Sequence, residues 1–481
     1  MKTNETKNDS KKLNLFDSTA LVIGSMIGSG IFIVSSDIAR QVGALGWLMV
    51  VWIITGILTL IAALSYGELA AMMPKAGGQY VYLREAYNPL TGFLYGWTLF
   101  MVIQTGTIAA VAMAFAKFLG VIIPVFSEKI ILLDLHFIKI NSAEIIAIVS
   151  IVLLTWLNTN GLKWGKRFQN SFTVVKIIII VAFIGIGLLF INDKGIFEIN
   201  KSIMWDAVKW DTASKSYIPI TGFALIAAIG VAMVGSIFTS DAWNNVTFTG
   251  GEIKNPKKTL PLSLFLGTLI VTIIYLLMNY VYLQNLPLRG ITNGTTVIER
   301  GMQFATNERL GTATMTTILG DYSAKMMAIL IIISTIGCNN GLILSGARVY
   351  YAMAKDGLFF NKVGILNKKN VPANGLIVQC IWASLLCLSG TYGQLLDYVV
   401  FAVLIFYVLT ILGIIILRIK KPHAERPYKA IGYPILPAIY IITATFIMGI
   451  LLIYKPDYTW PGLIIVIIGI PIYYIRKNTI K

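Results

Sequence analysis

The sequence predicts an all-α integral membrane protein with about twelve transmembrane helices. Three observations carry this. Hydrophobic residues fill 57% of the 481 positions and charged residues only 13%, about half the charged share of a soluble domain. Apolar segments of about 20 residues, long enough to cross a bilayer, recur along the whole chain. The net charge of +17 comes from short basic clusters between these segments, so it describes membrane topology rather than a nucleic-acid-binding face.

Met1 to Lys12 form a polar, basic tail. No small-residue cleavage site follows the first apolar run, which therefore reads as an uncleaved membrane helix. Spans are expected near 15–38, 46–73, 90–122, 143–159, 168–192, 219–249, 260–285, 325–355, 374–391, 396–418, 433–454 and 460–476. With the N-terminus inside, most of the 39 Lys and Arg residues fall on one side. Its clusters include Lys7, Lys11 and Lys12; Lys163, Lys166 and Arg167; Lys254, Lys257 and Lys258; and Arg418, Lys420, Lys421, Arg426 and Lys429. The positive-inside rule then places both termini in the cytoplasm. The loop over 286–324 is the longest on the opposite face, long enough to act as a partial lid or as a passive connector.

Two spans are unusual. In the first, Gly24-Ser25-Met26-Ile27-Gly28-Ser29-Gly30 places three glycines and two serines inside an apolar run. Glycine costs a helix about 1 kcal/mol relative to alanine. An opened helix survives in lipid only where its bare backbone groups face protein, water or a ligand. Such a break offers N–H donors to an anion at the start of a half-helix. A packing face of the GxxxG type is the other reading of Gly24 and Gly28. The sixth span carries a similar interruption, Gly235-Ser236-Ile237-Phe238-Thr239-Ser240-Asp241-Ala242-Trp243-Asn244-Asn245. Breaks in spans one and six suggest two five-helix halves with a ligand site between them at the midplane. The layout gives a tail over 1–13, a core over 14–418 made of repeats near 14–192 and 219–418, and a loop with two accessory helices over 419–481.

The fifth span contributes Lys176. A lysine at the centre of a span costs about 2.5–3.5 kcal/mol and should face the bundle interior. Whether it meets Asp241 is open at this level. Cys338, Cys380 and Cys387 lie in apolar segments with no metal-ligand spacing. His136 and His423 fall in expected loops, which argues against a membrane enzyme with an intramembrane histidine base. No G-x-x-x-x-G-K-[ST] loop is present, which argues against ATP-driven pumping. No cofactor is expected.

Beyond the two breaks, Tyr66-Gly67-Glu68-Leu69 precedes Pro74-Lys75-Ala76-Gly77-Gly78-Gln79-Tyr80-Val81-Tyr82 and Glu85. Trp243-Asn244 precedes Gly251-Glu252-Ile253-Lys254-Asn255-Pro256 and Leu260-Pro261. Arg418, Lys421-Pro422 and Glu425-Arg426-Pro427-Tyr428-Lys429 follow the tenth span. In this order and spacing, with Gly24 to Phe32, the chain resembles the amino acid–polyamine–organocation superfamily, and within it the L-amino acid transporter family, over nearly its whole length.

The resemblance implies a LeuT-like fold, a five-plus-five inverted repeat with discontinuous helices one and six and two accessory helices. It implies that a substrate α-carboxylate meets N–H groups around Met26, Ile27, Gly28, Ser29 and Gly30. The α-amino group would meet carbonyls of the breaks, with Phe238, Thr239, Ser240, Asp241 and Asn244 completing the site. Phe238 matches an aromatic cap, although core packing explains a phenylalanine as readily. Lys176 matches a lysine that stands in for the sodium ion of other proteins with this fold, bonded to the first and eighth helices. By analogy the side-chain pocket draws on Gln104, Thr105, Cys338, Asn339, Asn340 and Phe401; hydrogen bonding between helices is the other reading of the polar run around Asn339. Relatives that pair with a glycoprotein subunit carry a cysteine in the loop after the third helix. Phe126 to Ser142 holds none, so no disulfide-linked ancillary subunit is expected.

The resulting expectation is a sodium-independent exchanger of L-amino acids in the cell membrane, a bacterial inner membrane by its Lys- and Ile-rich composition. It has small-molecule and lipid partners and no nucleic acid. Asp241 admits two roles, recognition of cationic side chains or charge balance for Lys176. The alternatives are a proton-coupled importer of cationic amino acids or polyamines and, more remotely, a transporter-like substrate sensor.

Overall fold

The computed structural model describes residues 13–135, 138–191, 193, 195–320, 322–388 and 392–479. The tail Met1–Lys12 and His136 lie outside them. The first span is built from two half-helices. In α1 (Leu15–Met26) a capping box sets the start: Asp17 N–H donates to Asn14 Oδ1 at 2.8 Å and Asn14 N–H to Asp17 Oδ2 at 2.9 Å. A 3₁₀ turn over Gly30–Phe32 and α2 (Ser35–Val42) continue the span. Gly43 then ends it at φ 54°, in the left-handed region that glycine enters without penalty.

The chain continues through α3 (Leu45–Met72), the short α4 (Gln79–Ala86) and α5 (Pro89–Ile122), which carries a π turn at Leu99–Ile103. After the hairpin β1 (Ile131–Leu135) and β2 (Ile138–Asn141) come α6 (Ser142–Thr159) and α7 (Leu162–Leu189). The helix α7 starts earlier than the apolar run does. Lys163, Lys166 and Arg167 are good helix formers and extend it beyond the apolar stretch. Next are α8 (Gly195–Ser202), the hairpin β3 (Val208–Asp211) and β4 (Ser216–Pro219), and α9 (Gly222–Thr239). One turn, α10 (Asn245–Phe248), resumes the sixth span beyond its break.

The remainder is α11 (Pro256–Asn285), α12 (Val297–Arg300), α13 (Leu310–Leu319), α14 (Ser323–Lys355), α15 (Ala373–Cys387), α16 (Tyr392–Lys420), α17 (Ile435–Tyr454) and α18 (Pro456–Thr479). Among the described residues ten helices are long and apolar enough to cross a membrane. With the split first span and the short α15, each of the expected spans has its helix. The architecture is all-α apart from the two small hairpins.

The half-helix α1 packs against α7, α11 and α14, and α9 against α2, α3 and α17. Asp17 pins the start of α1 to α7, accepting from Lys166 Nζ at 2.6 Å and Asn170 Nδ2 at 2.7 Å. The long 286–324 loop is held down on α2, where Arg40 donates to Gln303 O and to Glu308 Oε1, both at 2.8 Å. At the other face a buried carboxylate clamps α3 to α16. Glu68, 1% exposed, accepts from Arg418 Nε at 3.0 Å, from Arg418 Nη2 at 2.7 Å and from the Ala430 N–H at 2.7 Å. The Arg418 guanidinium also lies 3.6 Å from the Tyr433 ring centroid.

Candidate functional site

The helix α1 runs through Gly24, Ser25 and Met26, so the break is narrower than the glycine-rich stretch and falls on Ile27, Gly28 and Ser29. Met26 belongs to the helical ladder, and the Ile27 N–H still reaches Ile23 O at 2.9 Å. The N–H groups of Gly28, Ser29 and Gly30 find no acceptor among the described residues. These buried donors point from the start of the second half-helix, where the dipole favours an anion.

The carbonyls from Gly24 to Gly28 have partners supplied by surrounding helices, while Ser29 O accepts from the Phe32 N–H of its own span at 3.0 Å. Lys176 on α7, fully buried, donates from Nζ to Gly24 O at 3.0 Å and to Ile27 O at 2.6 Å. Ser334 on α14 donates to Gly28 O at 3.0 Å, Cys338 Sγ to Ser25 O at 3.0 Å, and Tyr275 on α11 to Met26 O at 3.1 Å. Among the described residues the ammonium's hydrogen bonds go to the first span alone, not to the eighth as the resemblance implied. The eighth span touches it by packing, since a Cβ at Gly337 would lie 3.4 Å from Lys176 Nζ. The packing reading of the glycines has its own support: a Cβ at Gly24 would sit 2.0 Å from Gln169 Nε2, so this residue permits close approach.

In the second break α9 ends at Thr239 and Ala242 takes φ 64°. That conformation costs a residue with a Cβ on the order of 1 kcal/mol. The two breaks press together. A Cβ at Gly30 would meet Thr239 Oγ1 at 2.3 Å, and the Tyr275 hydroxyl that donates to Met26 O also lies 3.0 Å from Thr239 O. Asp241 accepts a short hydrogen bond from Tyr407 on α16. Among the described residues no ion pair joins Asp241 to Lys176, so balancing the ammonium is not its role in this arrangement. Asn244 Nδ2 donates to Gln79 Oε1 at 2.8 Å, and Gln79 Nε2 donates on to Phe406 O at 3.1 Å and Thr410 Oγ1 at 3.0 Å.

Asp241 and Asn244 border a narrow hollow of about 10 Å³, room for a single water, lined also by Gln79, Tyr95, Gln104 and Tyr407. The π turn of α5 brings Leu99 and Ile103 to it, the kind of local widening that recurs at functional sites. Of the other expected pocket residues, Thr105 turns back on its own helix, donating to Phe100 O at 2.6 Å. Asn340 Nδ2 bonds Gln169 Oε1 at 2.9 Å and Asn340 Oδ1 accepts from Asn158 at 2.9 Å, which is interhelical packing. Asn339 and Phe401 are buried without lining the hollow, and Phe238 is 8% exposed.

Sequence reasoning passed over Tyr275, Ser334, Tyr407 and the partners of Gln79. A tyrosine inside an apolar span was the available signal, because a buried phenol needs a hydrogen-bond partner. Tyr275→Phe removes one donor shared by the two breaks, a loss of about 1 kcal/mol or more. Initial uptake rates in proteoliposomes should fall about fivefold with an unchanged elution profile; an unchanged rate would show the bridge to be idle.

Residues 13–473 match the sequence family described as amino acid permease. The chain is 27% identical to the mouse Large neutral amino acids transporter small subunit 2, over 97% of this chain and 81% of that one. It is 26% identical to the human Asc-type amino acid transporter 1, over 97% and 82%. The mouse b(0,+)-type amino acid transporter 1 is likewise 26% identical, over 96% and 87%.

Proposed function

The chain belongs to the amino acid permease family, a multi-pass membrane transporter rather than an enzyme, and from that premise we propose a sodium-independent exchanger of L-amino acids working by alternating access. The observation that carries this reading is the first break. Three unpaired N–H groups at Gly28, Ser29 and Gly30 suit an α-carboxylate, while the Lys176 ammonium occupies the carbonyls of Gly24 and Ile27 where a small cation would otherwise be needed. We place the substrate between Met26–Gly30 and Phe238–Asp241, with Asn244 and Gln104 toward its side chain.

The halves near 14–192 and 219–418 form the proposed repeats, with 419–481 accessory. The basic clusters support cytoplasmic termini, and the Lys- and Ile-rich composition supports a bacterial inner membrane. The cysteine-free loop 126–142 supports transport without a disulfide-linked subunit.

Asp241 on the wall of the hollow favours a broad neutral range that includes cationic side chains. Vesicles preloaded with leucine, alanine or arginine should each accelerate entry of labelled leucine, equally in sodium and choline media. In Asp241→Asn, competition by arginine should weaken about tenfold, the scale of one charged hydrogen bond, with leucine unchanged. Uptake that follows an imposed pH gradient without internal substrate would instead support proton-coupled import of cationic substrates through the same carboxylate.

A further inference from the structure

A second concavity lies far from the breaks, on the basic face. It is formed by the 3₁₀ turn Asn361–Gly364 after α14, the first turns of α15 and the last turn of α18. Its volume is about 660 Å³, and its walls are mostly apolar, with Phe360, Val363, Ile377 and Val378 beside Lys362 and Arg476. The apolar wall continues along α15 as Ile377, Ile381 and Leu385, 46%, 57% and 51% exposed, a stripe at helical spacing.

Charge at the rim is uncompensated. Residues 357–388 and 458–481 contain no Asp or Glu, and the nearest acidic side chain in the preceding loop, Asp356, accepts from Tyr80 at 2.7 Å and from Arg84. Arg476 is oriented by donating from Nε to Gly357 O at 3.2 Å and from Nη2 to Phe359 O, beside the Phe360 ring. Lys362 has no side-chain partner among the described residues.

We propose that this groove binds an anionic phospholipid, its phosphate between Lys362 and Arg476 and one acyl chain along Ile377, Ile381 and Leu385. Basic pockets between membrane helices select such headgroups by charge, and the apolar stripe holds the chain in place. Assigning the groove to the inner leaflet rests on the orientation proposed above; the binding does not, nor does it require transport.

The test is native mass spectrometry of the full chain released from nanodiscs of phosphatidylcholine with graded phosphatidylglycerol. The wild type should retain phosphatidylglycerol in preference to phosphatidylcholine. Lys362→Gln should weaken retention about fivefold and Lys362→Gln/Arg476→Gln about thirtyfold. Lys368→Gln/Lys369→Gln, which removes equal charge from the same face outside the groove, should leave retention unchanged. Equal loss in both double variants, no lipid preference in the wild type, or equal competition by soluble glycerol phosphate would each overturn the proposal.

Discussion

Lys176→Ala is expected to cut amino acid uptake by roughly tenfold to a hundredfold while the protein still folds and inserts. Among the described residues Lys176 is the donor to Gly24 O, and it shares Ile27 O with the more distant Ser334 Oγ at 3.3 Å. Leaving a buried acceptor unmade costs about 1–3 kcal/mol, and that cost falls on the arrangement that keeps the first break open. The rest of α1 is anchored elsewhere, by Asp17 to Lys166 and Asn170 and by Tyr275 to Met26 O, so global folding should survive. Lys176→Met fills the space without the charge and should behave like alanine. Uptake by the purified variant in liposomes, normalised to protein with a wild-type elution profile, is the measurement. Wild-type rates would remove Lys176 from the mechanism.

The largest expected effect on stability is at Glu68, on α3. Its carboxylate meets Arg418 through two bonds, lies 3.4 Å from Arg426 Nε, and caps the Ala430 N–H. Glu68→Ala strands Arg426, 9% exposed, and the partly buried Arg418 without a counter-charge. Removing one partner of a buried ion pair destabilises by about 3–5 kcal/mol, and partial solvent access at Arg418 argues for the lower end. Glu68→Gln keeps an acceptor for Ala430 and should lose less. Thermal midpoints of detergent-purified protein should order as wild type, Glu68→Gln, Glu68→Ala. A wild-type midpoint for the alanine variant would mean the clamp contributes nothing to stability.

The two predictions draw on different kinds of sequence information. Lys176 stood out in the chain because a charge inside an apolar run is expensive wherever the helix packs. Glu68 was visible only within a motif; nothing local to Tyr66-Gly67-Glu68-Leu69 says that its partners lie 350 and 362 residues away. The same divide runs through the site. Glycine content located the first break to within a few residues, but its edges depended on donors from α7, α11 and α14 that capture the carbonyls of Gly24 to Gly28. Analogy assigned Asn340 to the side-chain pocket, with hydrogen bonding between helices as the other reading; helix rotation turns it toward Asn158 and Gln169, in line with the second.

From residues alone came the membrane class, the number and order of spans and the two interrupted helices. These follow from apolar run length and glycine content, each a property of contiguous chain. Tertiary structure decided which group meets which: Lys176 with the first break rather than with Asp241, Asp241 with Tyr407, Tyr275 with both breaks, and Gln79 with Asn244. Those pairings join side chains far apart in the chain, and they depend on how each helix is rotated and how closely it packs, which hydrophobic periodicity does not specify when a helix is apolar on nearly every face.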